Sequence, residues 1–325
     1  MKAVQLQGFE GPKSLKLVDI DKPQPSANEI LIEVKAAGIN YADAQQTHGQ
    51  YPTFGKELPF VLGFEAAGIV TELGLGVTGF KLGDRVAAVV SSGGYAQFAV
   101  ASAAAAILVP PNVSFAEATA LPIQGMSAYT LLKYAVMPTA PQSVLVQAAA
   151  GGVGLFLVQL AKHFGIERVV ALASSEAKLA LLKTVGADTV INYAERDWPE
   201  RVKEATDGKG PDVVLQMSSG IVGEESFKLT APLGRIVIFG AQNYHDIITT
   251  EQVRQLIWKN QTVTGFAYPA LPPELVAESL PLLLELVENG TIQIFAESSF
   301  PLSQAEQALE ALLSRKTIGK VVLTA

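Results

Sequence analysis

The sequence predicts an α/β protein in two parts, a β-rich first part followed by a doubly wound parallel sheet. Before residue 120, short β-branched or alternating runs are separated by glycine and proline turns. From about residue 140 to 240, short apolar runs alternate with helical patterns, which is typical of strands joined in parallel through helices. The glycine-rich turn Gln147-Ala-Ala-Ala-Gly-Gly-Val-Gly154 joins the first such run to the first such helix.

Composition restricts the class of protein. The chain has 325 residues, of which 49% are hydrophobic and 17% charged, so we expect a globular protein large enough for two domains. The net charge of −7 argues against a nucleic-acid surface. The chain contains no cysteine, which excludes disulfides and thiolate metal sites.

The first residues show no apolar signal sequence, and no apolar run reaches the roughly 18 residues of a membrane-spanning helix. The sequence therefore predicts a cytoplasmic protein without a membrane partner.

The β-rich part has a simple pattern of predicted elements. Strands are predicted at 3–6, 29–35, 67–72, 85–90 and 94–100. The capping box formed by Ser114 and Glu117 then predicts the start of a helix, and a second helical pattern covers 125–134.

The alternating part follows. Its predicted strands are 144–148, 168–173, 189–193, 212–217 and 235–239, and its predicted helices are 154–164, 176–185, 198–206 and 223–230. After the polar loop 241–247 we predict a helix at 250–260, a strand at 262–268, a helix at 273–288, a helix opened by the capping box of Ser303 and Glu306, and a strand at 319–324. These last elements do not extend the alternation. We therefore predict one domain from 1–120 with 258–325, and a second from 121–257.

The glycine turn is the first candidate binding site. A strand, a tight glycine turn and a helix form the first unit of a dinucleotide-binding fold, in which free N–H groups at the helix start bind a pyrophosphate. We expect Ala150, Gly151, Gly152 and Val153 to contact that group. Ala149 occupies the first glycine position of the G-x-G-x-x-G pattern, so an ordinary strand–helix turn is the alternative.

Several motifs resemble those of one family. They are Ala37-Gly-Ile-Asn40 with Asp43, Leu62-Gly-Phe-Glu-Ala-Ala-Gly-Ile-Val70, Gly83-Asp-Arg-Val86, Gly125-Met-Ser-Ala-Tyr129, the glycine turn, and Val185-Gly-Ala-Asp-Thr-Val-Ile-Asn-Tyr193. In order and spacing the chain resembles the zinc-independent quinone oxidoreductases of the medium-chain dehydrogenase/reductase superfamily. The resemblance implies a GroES-like lobe built from both termini, a Rossmann lobe, an active site in the cleft between them, and a homodimer.

The resemblance also bears on metal binding. Zinc-dependent members carry an early Cys and a His-Glu pair, whereas this chain has Asn40 and Phe64 at those positions. The three histidines, His48, His163 and His245, show no ligand spacing. We therefore expect no metal site, and plain alcohol oxidation is not expected.

The end of the second predicted strand bears on which nicotinamide nucleotide binds. NAD sites place a carboxylate there, about 20 residues past the glycines, but 169–175 contains none. The resemblance implies that Ser174, Lys178 and Tyr193 hold the 2′-phosphate of NADP(H). Glu176 is the residue that argues for NAD, and the alternative for Lys178 is an ordinary solvated charge.

Candidate residues for hydride transfer are Asn40, Tyr41, Tyr51 and Ser127, whose polar groups can orient or polarise a carbonyl acceptor. Phe239, Gly240 and Phe266 are candidates for contacts to the nicotinamide and for an aromatic wall. For the aromatic residues the alternative is simple core packing.

These observations favour an NADPH-dependent reductase of quinones or activated alkenes. Two alternatives stay open: a reductase of enones or enoyl thioesters, and a non-catalytic NADPH-binding sensor or scaffold protein.

Overall fold

The computed structural model describes residues 1–90, 93–240 and 248–325. The chain divides into two compact units. The first contains Met1–Gln124 and Ile294–Ala325, and the second contains Gly125–Gln293. The predicted polar loop 241–247, including His245, lies outside the described residues.

The first unit is β-rich, as predicted. Its strands are β1 (Lys2–Leu6), β2 (Leu15–Asp19), β3 (Glu29–Ile39), β4 (Phe60–Val61), β5 (Glu65–Leu73), β6 (Arg85–Val89), β7 (Phe98–Ser102), β8 (Ala106–Leu108), β15 (Ser298–Pro301) and β16 (Val321–Thr324). Its helices are α1 (Tyr41–Thr47), α2 (Phe115–Ala118) and α10 (Ala305–Leu313). The predicted capping box starts α2, because Ser114 and Glu117 exchange side-chain-to-backbone hydrogen bonds.

Two sheets form this unit. A three-stranded sheet has the order β2-β1-β4, and a seven-stranded sheet has the order β15-β16-β3-β5-β6-β8, with β7 paired to β3. The long strand β3 lies at the centre, antiparallel to both β16 and β5. Because β16 pairs with β3, the carboxyl terminus of the chain completes the sheet begun by its amino-terminal part.

The second unit is the predicted parallel sheet. Its strands are β9 (Ser143–Val146), β10 (Arg168–Ala173), β11 (Thr189–Asn192), β12 (Val213–Gln216), β13 (Arg235–Phe239) and β14 (Thr262–Phe266). Its helices are α3 (Met126–Thr130), α4 (Gly152–His163), α5 (Glu176–Thr184), α6 (Trp198–Ala205), α7 (Gly220–Leu229), α8 (Thr250–Lys259) and α9 (Pro273–Glu288). The strand order β11-β10-β9-β12-β13-β14 is that of a doubly wound dinucleotide-binding sheet, in which the order of strand addition reverses between β9 and β12. The predicted α/β fold class is confirmed.

The sheet contains one strand that the sequence pattern placed elsewhere. The strand β14 pairs in parallel with β13 over five residues, although we expected this segment to rejoin the first unit. The second unit therefore runs to Gln293, which differs from the predicted boundary at 257. Parallel pairing with β13 adds β14 to the sheet as its sixth strand, and the hydrogen bonds of this pairing hold β14 in the second unit.

One predicted helix start differs from the structure, and one predicted helix differs in its hydrogen-bonding pattern. The helix α10 begins at Ala305 after a short 3-10 turn. Its N-cap residue is Gln304, whose side chain accepts no capping hydrogen bond, so the capping box predicted for Ser303 and Glu306 does not form. The segment 125–134 is helical throughout, as predicted, but only α3 is α-helical, and it lies between π-helical turns at Leu121–Gly125 and Leu131–Val136. Within the described part of the chain, every helix is too short or too polar to cross a membrane.

Candidate active site

The glycine turn lies at the carboxyl edge of the parallel sheet, directly after β9. The turn is tight: Ala148 has a positive φ of 47°, and the N–H of Gly151 donates to the Ala148 carbonyl at 2.9 Å. The helix α4 then begins at Gly152. At Gly154 a Cβ atom would lie 2.6 Å from Ala149 Cα, so only glycine lets the helix approach the turn this closely. The free N–H groups of this helix start form a cradle that fits a pyrophosphate.

The buried side chain of Gln147 holds this turn to the neighbouring strand. Its amide oxygen accepts hydrogen bonds from the N–H groups of Met217 (3.1 Å) and Ser218 (2.8 Å), which follow β12. These bonds cross the point between β9 and β12 where the strand order reverses, and that is where such sheets bind their ligands. Gln147 was not among the predicted site residues.

The proposed 2′-phosphate residues lie at the ends of the next two strands. Ser174 follows β10, and the N–H of Tyr193 donates to the Ala173 carbonyl at 3.1 Å, which places Tyr193 beside the end of β10. Lys178 lies in the first turns of α5, and partial burial lowers the pKa of its ammonium. Glu176, in the first turn of α5, is exposed. The three proposed residues therefore lie at one edge of the sheet.

The remaining predicted cofactor contacts lie at the same edge. Phe239 ends β13 and is directly opposite Phe266, which ends β14. Phe239 is buried, with 6% of its surface exposed, and Gly240 follows with a positive φ of 82°. The carboxyl ends of β9, β10, β11, β13 and β14 thus collect the predicted residues of the second unit, apart from Ser127 in α3.

In the first unit, Asn40 is held inside a network of buried polar side chains. Its Nδ2 donates to Glu65 Oε1 at 2.8 Å, and its Oδ1 accepts from Gln124 Nε2 at 3.2 Å and from Lys320 Nζ at 3.1 Å. The Lys320 ammonium also contacts the Glu65 carboxylate. Asn40 is 7% exposed, so its amide is oriented by the protein before any ligand binds.

Strand register explains why these groups meet. Glu65 begins β5 opposite Gly38 in β3, and Lys320 directly precedes β16, whose first residue lies opposite Ile39. A Cβ atom at Gly38 would lie 2.6 Å from Lys320 Cε. Gly38 therefore leaves the space through which the two charged side chains reach each other and Asn40.

Asp43 lies in the first turn of α1 and is fully buried. Its Oδ2 accepts the backbone N–H of Asn40 at 2.6 Å, whereas its Oδ1 has no hydrogen-bond partner in the described residues. Burial raises the pKa of the Asp43 carboxyl to about 7, although the Asn40 N–H and the Lys320 charge oppose the shift. Burial and then the charge of Asp43 raise the pKa of the buried Tyr95 hydroxyl well above its ordinary value.

Three aromatic rings form a cluster next to this network. The ring centroids of Tyr51, Phe54 and Phe64 are pairwise 6.2 Å apart, in edge-to-face geometry. We call these three residues the aromatic cluster. Phe54 is 67% exposed, while Phe64 directly precedes Glu65 in the chain. Tyr51, a predicted acceptor contact, thus belongs to an aromatic surface that extends from the buried network to solvent.

Tyr41 follows Asn40 as the first residue of α1 and is partly buried. Ser127 lies in α3 of the second unit and is also partly buried. The structure brings Asn40 and Glu65 together and places Tyr51 in the aromatic cluster.

The residues present do not fit a zinc ion. The chain has no cysteine, and no group of three or more His, Asp or Glu side chains among residues 1–90, 93–240 and 248–325 is arranged to hold a metal. Asn40 and Glu65, which lie where the resemblance would place zinc ligands, hydrogen-bond to each other and to Lys320. The Lys320 ammonium already neutralises the Glu65 carboxylate.

Sequence reasoning missed Lys320, Glu65 and Gln124 as partners of Asn40. A signal for two of them was available. Glu65 begins a run of otherwise small and apolar residues, and Lys320 precedes the apolar run Val321-Val-Leu323. A single charge next to each of two apolar strands predicts that the two charges pair when the strands are buried.

Comparison with known proteins agrees with this architecture. Residues 26–111 match the family described as alcohol dehydrogenase GroES-like domain, and residues 152–288 match the family described as zinc-binding dehydrogenase. These matches define the class, a medium-chain dehydrogenase/reductase with a GroES-like unit and a Rossmann unit, as expected.

Relatives that match over their full length identify the family within this class. Quinone oxidoreductase of Pseudomonas aeruginosa is 33% identical over 326 residues, covering 99% of both chains, and quinone oxidoreductase 1 of Escherichia coli is 35% identical over 333 residues, covering 98% of both. The crystal structure of Escherichia coli quinone oxidoreductase complexed with NADPH superimposes with a TM-score of 0.90 at 32% identity, covering 100% of both chains. The chain belongs to the zinc-independent quinone oxidoreductase family and is an oxidoreductase.

Proposed function

We propose that this protein is an NADPH-dependent reductase that transfers hydride to a quinone or an activated alkene. The observation that carries the proposal is the full-length similarity to a quinone oxidoreductase solved with NADPH, at a TM-score of 0.90. The chemistry of the site supports it independently, because the residues fit a phosphorylated nucleotide and do not fit a metal.

NADPH would be held at the carboxyl edge of the parallel sheet. The turn residues Ala150 and Gly151 and the first helical residues Gly152 and Val153 would contact the pyrophosphate, with the free backbone N–H groups of the helix start as donors. Ser174, Lys178 and Tyr193 would bind the 2′-phosphate, since the 169–175 segment contains no carboxylate to repel it. Phe239, Gly240 and Phe266 would contact the nicotinamide end. When bound, NADPH supplies the hydride.

The chain's own residues would orient the acceptor. The Asn40 amide is fixed by Glu65, Gln124 and Lys320, so any contact it makes to a ligand costs little side-chain entropy. Tyr41, Tyr51 and Ser127 would donate to carbonyl oxygens of the acceptor or the nicotinamide. A quinone takes up hydride readily and obtains its proton from water, so the reaction demands no buried acid.

The same proposal includes a homodimer working in the cytoplasm. The strand β14 is the outer strand of the six-stranded sheet, and its residues are partly or fully exposed. The neighbouring helix α8 exposes Trp258 (85%) and Ile257 (68%). An open strand edge beside exposed apolar side chains is suited to pairing with a second copy, which would continue the sheet across a two-fold axis.

An acceptor panel tests the proposal. The purified protein is incubated in EDTA with NADPH or NADH and with 1,4-naphthoquinone, methyl vinyl ketone, crotonyl-CoA or cyclohexanone, and nucleotide oxidation is followed by absorbance. We expect turnover with NADPH and the quinone, weaker turnover with the enone, and none with cyclohexanone. Preference for crotonyl-CoA would instead establish a thioester reductase. Binding of NADPH without turnover of any acceptor would establish a sensor or scaffold protein.

A further inference from the structure

The loop between α1 and β4 places one lysine against the aromatic cluster. Lys56 Nζ lies 5.9 Å from the ring centroid of Phe64 and 5.7 Å from that of Phe60, within the range of cation–π contacts. Its side chain is half-buried. Because Phe64 also packs against Tyr51 and Phe54, the ammonium adjoins a continuous aromatic surface.

Among the residues that the structure describes, no carboxylate lies within ion-pair distance of the Lys56 ammonium. Two other lysines near aromatic rings are neutralised by carboxylates: Lys22 lies over Phe98 and pairs with Glu72, and Lys133 lies over Tyr129 and pairs with Glu278. Lys56 therefore keeps a positive charge that a ligand on the aromatic surface can use.

Two links connect Lys56 to the buried network around Asn40. Burial lowers the pKa of Lys56, and the charge of Asp43 raises it, so the two groups interact electrostatically. Asp43 in turn accepts the backbone N–H of Asn40. Phe64 provides the second link, because it directly precedes Glu65, which accepts from the Asn40 side chain.

We propose that Lys56 and the aromatic cluster form the acceptor subsite for a planar quinone, in which the ammonium stabilises the oxyanion created by hydride uptake. This inference rests on the proposed reductase function and specifies the substrate class. Aromatic faces and edges suit a flat ring, and an unneutralised cation at their border suits negative charge that develops only during reaction.

The reaction balances without any further reagent. The quinone accepts a hydride, which is two electrons and one proton, from NADPH, giving NADP⁺ and a hydroquinone monoanion. The C–H bond at the nicotinamide breaks and the hydride bonds to one carbonyl oxygen of the quinone. Both C=O bonds become C–O single bonds as the ring becomes aromatic, and the negative charge rests on the other oxygen. A proton from water then completes the hydroquinone. Lys56 remains an ammonium throughout and acts on the charge of the monoanion.

A product-like anion tests the subsite without turnover. At neutral pH, 2-hydroxy-1,4-naphthoquinone is a planar anion, and 2-methyl-1,4-naphthoquinone is a neutral compound of similar shape. Binding of both is measured by calorimetry on wild type, Lys56→Met, Lys56→Arg and the surface control Lys35→Met. We expect Lys56→Met to weaken binding of the anion about tenfold and binding of the neutral quinone less than twofold. The Arg and Lys35 variants should resemble wild type.

Kinetics provide the second arm. With NADPH and 1,4-naphthoquinone, Lys56→Met should lower kcat at least about tenfold with little change in KM, since the charge it removes stabilises the negative charge that develops during hydride transfer. Lys56→Arg should restore most of the rate. Equal anion binding and equal kcat in wild type and Lys56→Met would overturn the subsite while the reductase function stands. Absence of quinone turnover in wild type would overturn the reductase function itself, and the subsite with it.

Discussion

The Lys320 ammonium lies against the Glu65 carboxylate, and both side chains are completely buried. The pair is joined to Asn40, because Lys320 donates to its amide oxygen and Glu65 accepts from its amide nitrogen. A buried ion pair of this kind adds little net stability over an apolar pair, but removing one partner leaves an uncompensated charge. Its role here is to fix the orientation of the Asn40 amide.

Lys320→Met should therefore lower the free energy of unfolding by about 3–5 kcal/mol, since Glu65 is left buried without its cation. Urea denaturation measures this loss. The double variant Glu65→Gln/Lys320→Met removes both charges and should recover a large part of it. A double variant no more stable than the single one would show that the unpaired charge is not the cause.

Asp43 should make stability fall as pH rises. Its folded pKa of about 7 lies above the ordinary value of about 3.9, so between these values the folded protein retains a proton that the unfolded chain has lost. The folded state is then penalised progressively from about pH 4 to pH 7. Asp43→Asn removes the penalty and keeps an oxygen to accept the Asn40 N–H.

The difference between Asp43→Asn and wild type in unfolding free energy should thus shift in favour of the variant by roughly 3 kcal/mol from about pH 5 to about pH 8. Urea denaturation at both pH values measures the shift. A difference that does not change with pH would contradict a buried carboxyl that titrates near neutrality.

Lys178 should control the choice of nucleotide. A charge-assisted bond to the 2′-phosphate contributes about 1.5–3 kcal/mol, so Lys178→Ala should raise KM for NADPH about tenfold or more and leave KM for NADH nearly unchanged. The control Lys183→Ala lies in the last turn of the same helix, α5, and should change neither. Equal effects on both nucleotides would place Lys178 outside the phosphate site.

Trp258 should be required for dimer formation. Replacement by Glu puts a charge on the exposed apolar face of α8 and should give a monomer in analytical ultracentrifugation at micromolar concentration. Leu75→Glu is the matched control, because Leu75 is also 85% exposed but belongs to the first unit. A dimer in both variants, or a monomeric wild type, would contradict the proposed interface.

Regular elements were predictable from the sequence because each carries its own pattern. The predicted helix at 176–185 is observed as Glu176–Thr184, and the predicted strand at 235–239 is observed as Arg235–Phe239. The placement of β14 was not predictable, because its partner is decided by packing in the sheet and not by its own five residues. Local periodicity identifies a strand but not its neighbour.

The candidate site likewise contains one part that the sequence predicts and one part that it does not. Residues on one contiguous turn, such as Gly151 and Gly152, could be selected from the sequence because strand, turn and helix are adjacent in the chain. The network around Asn40 joins residues as far apart as 40, 65, 124 and 320. Such contacts depend on the register of three strands, which residue types alone do not specify.

The contacts of the loop residues Phe54 and Lys56 were also not predictable from the sequence. Both lie in an irregular loop where no period applies, and the ring contacts of Phe54 and the cation–π contacts of Lys56 emerge only from the folded loop. Tyr51 was selected from the sequence because of its hydroxyl, although the structure shows its ring packed against Phe54 and Phe64.

The most direct test of the central claim is steady-state oxidation of NADPH by 1,4-naphthoquinone in EDTA, run beside NADH. We expect turnover that the chelator does not change and a kcat/KM at least about tenfold higher for NADPH than for NADH. Loss of activity in EDTA that zinc restores, or a preference for NADH, would contradict a metal-free site built for a phosphorylated nucleotide.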